Sequence, residues 1–246
     1  MESGLAIITG AGKGIGAATA RQAAERGWAV AVNYQIDQKA AESVVADIKR
    51  AGGRAIAIRA DTSDQADVRA LFDTAERAFG PVTALVNNAA INGGTNKFID
   101  LDAAALKRMF EINVIGLMFC AQEAVRRMAT DRGGKGGVIV NISSVGALIG
   151  SPNERVHYAA SKGAVNSFTI GLAKEVIRSG VRVNAVSPGL TSTRMNSQER
   201  IDRLAPAIPI GRAAAPEEIA RVVIFLMSPE SSYIVGENIM VTGGRG

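Results

Sequence analysis

The stretch "TGAGKGIG" (residues 9–16) follows the apolar run "LAIIT" (5–9) and leads straight into a helical pattern near 15–26. Glycines at such a corner allow a tight turn, let backbone approach a pyrophosphate closely, and leave the first helical turn open to phosphate oxygens. The spacing Gly10, Gly14, Gly16 departs from the common G-x-G-x-x-G. A register of that motif taken from Gly12, Gly14 and Ala17 begins too far past the strand. Strand, glycine turn and helix read together as a dinucleotide-binding unit, with Gly10, Gly12, Lys13, Gly14, Ile15 and Gly16 as its expected contacts.

The same alternation continues along the chain. Apolar runs at 29–34, 55–60, 84–88, 137–143, 181–187 and 238–243 are separated by helical stretches near 37–51, 64–79, 102–129 and 157–179, and another at 216–227 opened by Pro216. The runs are continuous rather than alternating, as strands covered on both faces require. Seven such strands with crossover helices predict an α/β fold: one doubly wound, mainly parallel sheet in a single domain spanning 1–246. Ligands on such a sheet bind beyond the carboxyl ends of the strands.

Composition narrows the function. Of 246 residues, 28 Lys and Arg face 23 Asp and Glu, a formal charge of +5. No basic run carries interleaved aromatics, so nucleic acid is not an expected partner, and the excess can help gather an anionic ligand. One cysteine (Cys120) and one histidine (His157) exclude an internal disulfide and a His/Cys metal cluster. His157 is expected to pack or sit at a rim. No stretch approaches the roughly 20 apolar residues of a membrane span, and the N-terminus has no basic leader, so a cytoplasmic location is expected.

Two details bear on chemistry. The second strand ends "VNYQ", with Asn33, Tyr34 and Gln35 and no carboxylate for ribose hydroxyls, while Lys13 can meet a 2′-phosphate; this favours NADP(H) over NAD(H). In "YAASKGAV" (158–165), Tyr158 and Lys162 share one helix face at i, i+4. A cation there favours the phenolate and is expected to lower the tyrosine pKa. A lone Tyr-x-x-x-Lys also describes an ordinary amphipathic surface helix.

The glycine turn, "NNAA" (87–90), Asn113, "NISS" (141–144), "YAASK" (158–162) and "SPG" (187–189) occur in one order across nearly the whole chain. Together they resemble the short-chain dehydrogenase/reductase family. The resemblance implies a Rossmann fold and hydride transfer between NADP(H) and a carbonyl or secondary alcohol. Tyr158 would be the general acid/base, and Lys162 would lower its pKa and hold the nicotinamide ribose. Ser144, which the pattern N-I-x-S selects over Ser143, would bond the substrate oxygen, and Asn113 would help position a water relaying protons to Lys162. Asp61 and Thr62 match positions that contact adenine, Asn87 and Ala89 those near the adenosine ribose, and Pro188, Gly189, Thr191 and Thr193 the segment at the nicotinamide carboxamide.

Alternatives stay open: a 3-oxoacyl-[acyl-carrier-protein] reductase, or a nucleotide-sensing protein that has lost the chemistry. Ala90 stands where relatives carry glycine, and is expected to tilt the loop at 91–99. "SPNERVH" makes the Ser144–Tyr158 interval one residue longer than in the ketoacyl reductases, as in sugar- and general carbonyl-reducing relatives. Residues 191–212 are too long for an ordinary connection and are expected to form a mobile lid. The apolar surplus on the helices at 102–129 and 157–179 predicts a homo-oligomer, and the resemblance makes it a homotetramer.

Overall fold

The computed structural model describes residues 4–95 and 97–245. Seven strands, β1 (Leu5–Ile8), β2 (Ala29–Tyr34), β3 (Arg54–Arg59), β4 (Val82–Asn87), β5 (Gly137–Ile142), β6 (Val181–Pro188) and β7 (Asn238–Val241), form one sheet in the order β3-β2-β1-β4-β5-β6-β7. Every neighbouring pair is parallel, so the sheet is wholly rather than mainly parallel. The chain first steps outward from β1 to β3 and then returns to start again at β4, which puts the switch in winding between β1 and β4.

Helices cover both faces. Along β1, Ala6 and Ile8 join one core with Ala17, Ala20 and Ala23 of α1 (Gly14–Glu25), Val44 of α2 (Gln38–Arg50) and Val223 of α9 (Pro216–Met227). Leu5 and Ile7 point the other way, into a core with Leu71 and Phe72 of α3 (Gln65–Phe79), Cys120 and Ala124 of α5 (Leu117–Met128) and Ala173 of α7 (Val156–Val176). Successive residues of a strand alternate faces. Both faces being dry is therefore the reason the strands read as unbroken apolar runs.

Three helical features depart from the sequence reading. The stretch expected as one helix over 102–129 is α4 (Ala103–Phe110), a π-helical turn (Glu111–Gly116) and α5 in succession. Asn113 lies inside the π turn. The short α6 (Gly146–Ile149) follows β5, and α8 (Gln198–Leu204) occupies the expected lid. Neither is periodic enough to see in sequence. Much of the apolar surplus on these helices is consumed within the chain: Met109, Val114, Leu117, Val165 and Val176 are buried, Phe119, Val125, Phe168 and Leu172 pack partly buried against the core, and the terminal methyl of Met109 lies beneath Gly93.

Candidate active site

At the carboxyl ends of the strands lies a cavity of about 670 Å³, and the glycine turn forms one of its walls. Gly10 and Gly14 have φ of +60° and +55°, a left-handed region that L side chains rarely adopt. A Cβ on Gly10 would also fall 2.9 Å from Cα of Ala89. The turn is braced from below by Asn33, which is buried and fully used. Its Oδ1 accepts from Gly10 N at 3.1 Å, and its Nδ2 donates to Ala60 O at 3.1 Å.

Asn88, quoted within "NNAA" but given no contact of its own in the sequence reading, stitches the switch point. Its Nδ2 donates to Thr9 O (2.9 Å) and Gly10 O (3.0 Å), and its own N–H donates to Thr9 Oγ1 (2.9 Å). Gly16 is required here because a Cβ would sit 2.5 Å from that amide nitrogen.

The N-terminus of α1 opens onto the cavity through Lys13, Gly14 and Ile15, with no side chain capping it and no acid in its first turn. The α2, α3, α4 and α8 N-termini are each capped by their own Asp or Ser. An uncapped positive dipole end beside close-approach glycines fits a pyrophosphate. The residues present therefore suit a dinucleotide.

The other expected nucleotide contacts divide. Asp61, Thr62, Gln35, Ala89, Pro188, Gly189, Thr191 and Thr193 line the cavity. Gly12, Gly16, Tyr34 and Asn87 do not. Tyr34 packs against the core beside α1 and α2. Asn87 is buried, with Nδ2 donating to Asn141 Oδ1 at 3.0 Å across the β4–β5 pair. The Asp61 carboxylate is already engaged by Gln35 (2.6 Å), Ser63 (2.6 Å) and Arg108 (2.8 Å). Burial pushes its pKa up, but the Ser63 bonds and the guanidinium hold it below the usual range. Lys13 is ion-paired with Asp37, the N-cap of α2.

At the opposite wall stand Ser144, Tyr158 and Lys162. Tyr158 lies in the first turn of α7, and Lys162 one turn later on the same face, its Nζ 5.7 Å from the ring centroid. The buried Nζ donates to Ile142 O at 2.7 Å. Ser144 stands near enough to the Tyr158 hydroxyl to ease its ionisation, and its Oγ accepts from Gly146 N at 3.0 Å. Ser143 is excluded from this group: it is buried, and its hydroxyl is directed to Asn166 Oδ1 at 2.5 Å and Lys162 O at 3.2 Å.

The electrostatics correct one expectation. Tyr158 is not lowered; burial pushes its phenol up to about 12, against opposing pulls from Ser144 and Arg155. Burial also brings Lys162 down to about 8. Desolvation of both groups outweighs the attraction that the sequence reading had counted on.

Asn113 lies one layer below these groups. It is fully buried beneath the cavity, with Oδ1 accepting from Ile91 N (2.9 Å) and Nδ2 donating to Ile91 O (2.8 Å) and Ser161 Oγ (3.1 Å). Its carboxamide clips the loop after "NNAA" to the π turn and α7. The same clip fixes where the loop at 91–99 starts, just past Ala90; Asn96 in that loop lies outside the described residues. His157 is buried, in keeping with a packing role.

The expected lid closes over the cavity with Thr193, Arg194, Met195, Asn196 and Arg200 among its lining residues. It is tethered at several points: Asn92 Nδ2 donates to Met195 O (3.0 Å), Arg155 to both Met195 O and Asn196 Oδ1 (3.2 Å each), and Arg200 and Arg203 pair with Glu154.

Comparisons with known proteins agree with this fold. The family model described as enoyl-(acyl carrier protein) reductase matches residues 10–245. The chain is 43% identical over 245 residues to the uncharacterized oxidoreductase YgfF of Escherichia coli, covering 98% of this chain and 99% of the relative. It is 39% identical over 243 residues to cis-4-hydroxycyclohexanecarboxylate dehydrogenase of Sinomonas cyclohexanicum, covering 98% and 95%. The crystal structure of a short chain dehydrogenase from Burkholderia cenocepacia in complex with NADP superposes with a TM-score of 0.91 at 35% identity, covering 97% and 96%.

Proposed function

The chain belongs to the short-chain dehydrogenase/reductase family, and on that premise we propose that it is an NADP(H)-dependent carbonyl reductase or alcohol dehydrogenase in which Tyr158 exchanges the proton. As a family member it is an oxidoreductase acting on CH–OH and C=O with a pyridine nucleotide. The observation that carries the residue roles is the Ser144–Tyr158–Lys162 group set across one cavity from an uncapped, glycine-lined helix N-terminus. When bound, the nicotinamide supplies or takes the hydride.

The chain's own residues account for the rest. The phenol at about 12 is fully protonated at neutral pH, so it is an acid ready for a developing alkoxide. The Ser144 hydroxyl, already aligned with that phenol, steers a carbonyl oxygen to the same point. Lys162, charged for the most part below pH 8, stabilises the phenolate left behind. Asn113 acts as a positioning residue through Ile91 and Ser161. Assaying purified protein with NADPH against ketones, sugars and ketoacyl thioesters tests the reading; no turnover of any of them would overturn it.

The NADP preference rests on the lack of a carboxylate at 33–35 and on Lys13 beside the uncapped helix. Lys13→Ala is expected to lower kcat/KM for NADPH about tenfold while leaving NADH nearly unchanged, as loss of one charge-assisted contact implies. Asp37→Asn keeps a capping side chain on α2, releases the Lys13 ammonium, and should raise the preference. A wild-type kcat/KM that is higher with NADH would refute the assignment.

A homotetramer goes with the same proposal. Ile115 in the π turn and Ile170 on α7 remain outward-facing, as do Phe225 on α9 and Met240 on β7. Two separate apolar faces suit two kinds of two-fold contact, which D2 symmetry closes. Light scattering at micromolar concentration is expected to give four copies of the 25.6 kDa chain, and a monomer would exclude it. Among the described residues no helix is long and apolar enough to cross a membrane. Cys120, buried and free, suits the reducing cytoplasm proposed as its location.

A further inference from the structure

Arg155 is the N-cap of α7, three residues before Tyr158, and lines the same cavity. It is only 8% exposed. Nη1 donates to Asn196 Oδ1 and Nη2 to Met195 O, both neutral acceptors at 3.2 Å. Nε is buried and meets no acceptor among the described residues. A guanidinium carries five N–H donors, so more than half of them are unmatched.

The neighbouring carboxylate is not ion-paired with it. Glu154 Oε2 is taken by Arg200 and Oε1 by Arg203, and among the described residues Arg155 has no carboxylate within ion-pair distance. Burial, with Arg200 adding to it, pulls the Arg155 pKa down against smaller opposing pulls from Tyr158 and Glu154. A buried, unpaired guanidinium is an expensive feature for a fold to keep. It becomes favourable once an anion enters beside it.

We propose that the substrate is a keto acid, or the matching hydroxy acid, whose carboxylate pairs with Arg155 while its carbonyl oxygen lies at Ser144 and Tyr158. This rests on the reductase reading above and deepens it. Arg155 and Tyr158 line the same cavity, three residues apart at the start of α7, so one small molecule can meet both. A planar guanidinium with Nε and further Nη hydrogens unmatched suits a carboxylate. Arg200 and Arg203, the nearest other cations of this wall, are committed to Glu154, which leaves Arg155 as the cation there without a carboxylate partner. The carboxylate is a handle only: hydride goes to the carbonyl carbon, the proton to its oxygen, and the acid group leaves unchanged.

The test uses 3-oxobutanoate, 4-oxopentanoate and 5-oxohexanoate, each against its methyl ester, with NADPH and the wild-type, Arg155→Gln and Arg155→Lys proteins. Gln keeps a donor toward the lid and loses the charge; Lys keeps the charge. Wild type is expected to favour at least one acid over its ester about thirtyfold in kcat/KM, chiefly through KM, as one charge-assisted contact allows. That ratio should fall close to one in Arg155→Gln and lie between the two in Arg155→Lys. Calorimetry with pentanoate and pentanamide on the NADP-loaded protein gives a readout independent of turnover. Esters matching acids throughout, the ratio persisting in Arg155→Gln, or dihydroxyacetone phosphate outcompeting every acid would each overturn the proposal. If no carbonyl compound is turned over yet pentanoate binds in an Arg155-dependent way, the reductase reading falls and the carboxylate site stands. If esters are reduced and pentanoate does not bind, the site falls and the reductase reading stands.

Discussion

Replacing Tyr158 by phenylalanine is expected to lower kcat about a hundred- to ten-thousand-fold, the usual contribution of a positioned general acid, with nucleotide affinity nearly unchanged. The substitution removes one oxygen. The ring stays on the first turn of α7, and neither the glycine turn nor Asn33, which braces it, touches that oxygen. What disappears is the proton donor that burial keeps protonated up to about 12. Ser144→Ala, which leaves the phenol in place, should cost less. Single-turnover kinetics with NADPH, beside a fluorescence titration of the nucleotide, separates chemistry from binding. Activity within a few-fold of wild type would mean that another group carries the proton.

Much of this was legible in the sequence because the sheet is dry on both faces. Strands such as "AVAVNY" and "GVIVNIS" could not be mistaken for half-exposed ones, and their uniform apolarity also implied parallel pairing. The glycine turn and the shared face of Tyr158 and Lys162 were legible because their spacing is local, whereas Ser144 was reached only through the ordered set of motifs that carries the family resemblance. What escaped depends on contacts distant in sequence. The π turn holding Asn113 is fixed by the loop at Ile91 and by Ser161, neither of which a helical pattern announces. Asn87 and Asn88 are adjacent in sequence and face opposite ways, so one bridges two strands and the other ties β4 to the glycine turn. Arg155 reads as one more charged loop residue until the lid folds over it and leaves it buried. The tyrosine pKa was misjudged for the same reason: sequence gives the neighbour's charge and is silent on desolvation.

Desolvation also makes Lys162→Met the variant in which stability and activity should part company. Burial holds the Lys162 amine at about 8, against an ordinary 10.5. Below pH 8 the ammonium is charged in both folded and unfolded chains, so the full burden of burying it weighs on the fold, on the order of 3 kcal/mol. As pH rises from about 8 toward 10.5 the folded chain sheds the proton first, and the burden fades. Methionine fills similar volume without charge. It leaves Ile142 O without its Nζ donor, which returns roughly 1–3 kcal/mol of the gain. The variant is therefore expected to melt level with wild type or a few degrees above it at pH 7, with that advantage shrinking as pH approaches 10. Its kcat for carbonyl reduction should nevertheless fall about a hundred- to a thousandfold, the range for losing one electrostatic stabiliser in a dry site. Wild-type reduction should decline as pH rises through about 8 and the ammonium neutralises, and this limb should be absent from the variant. Calorimetric melts from pH 7 to 10 and pH–rate profiles of both proteins check the two halves independently. A variant that melts well below wild type at every pH would show Lys162 to be a structural hydrogen-bonding residue, and one that keeps the alkaline limb would show that another group titrates in the reaction. A group that weakens the fold and speeds the chemistry is what a functional cation buried beside a neutral phenol has to be.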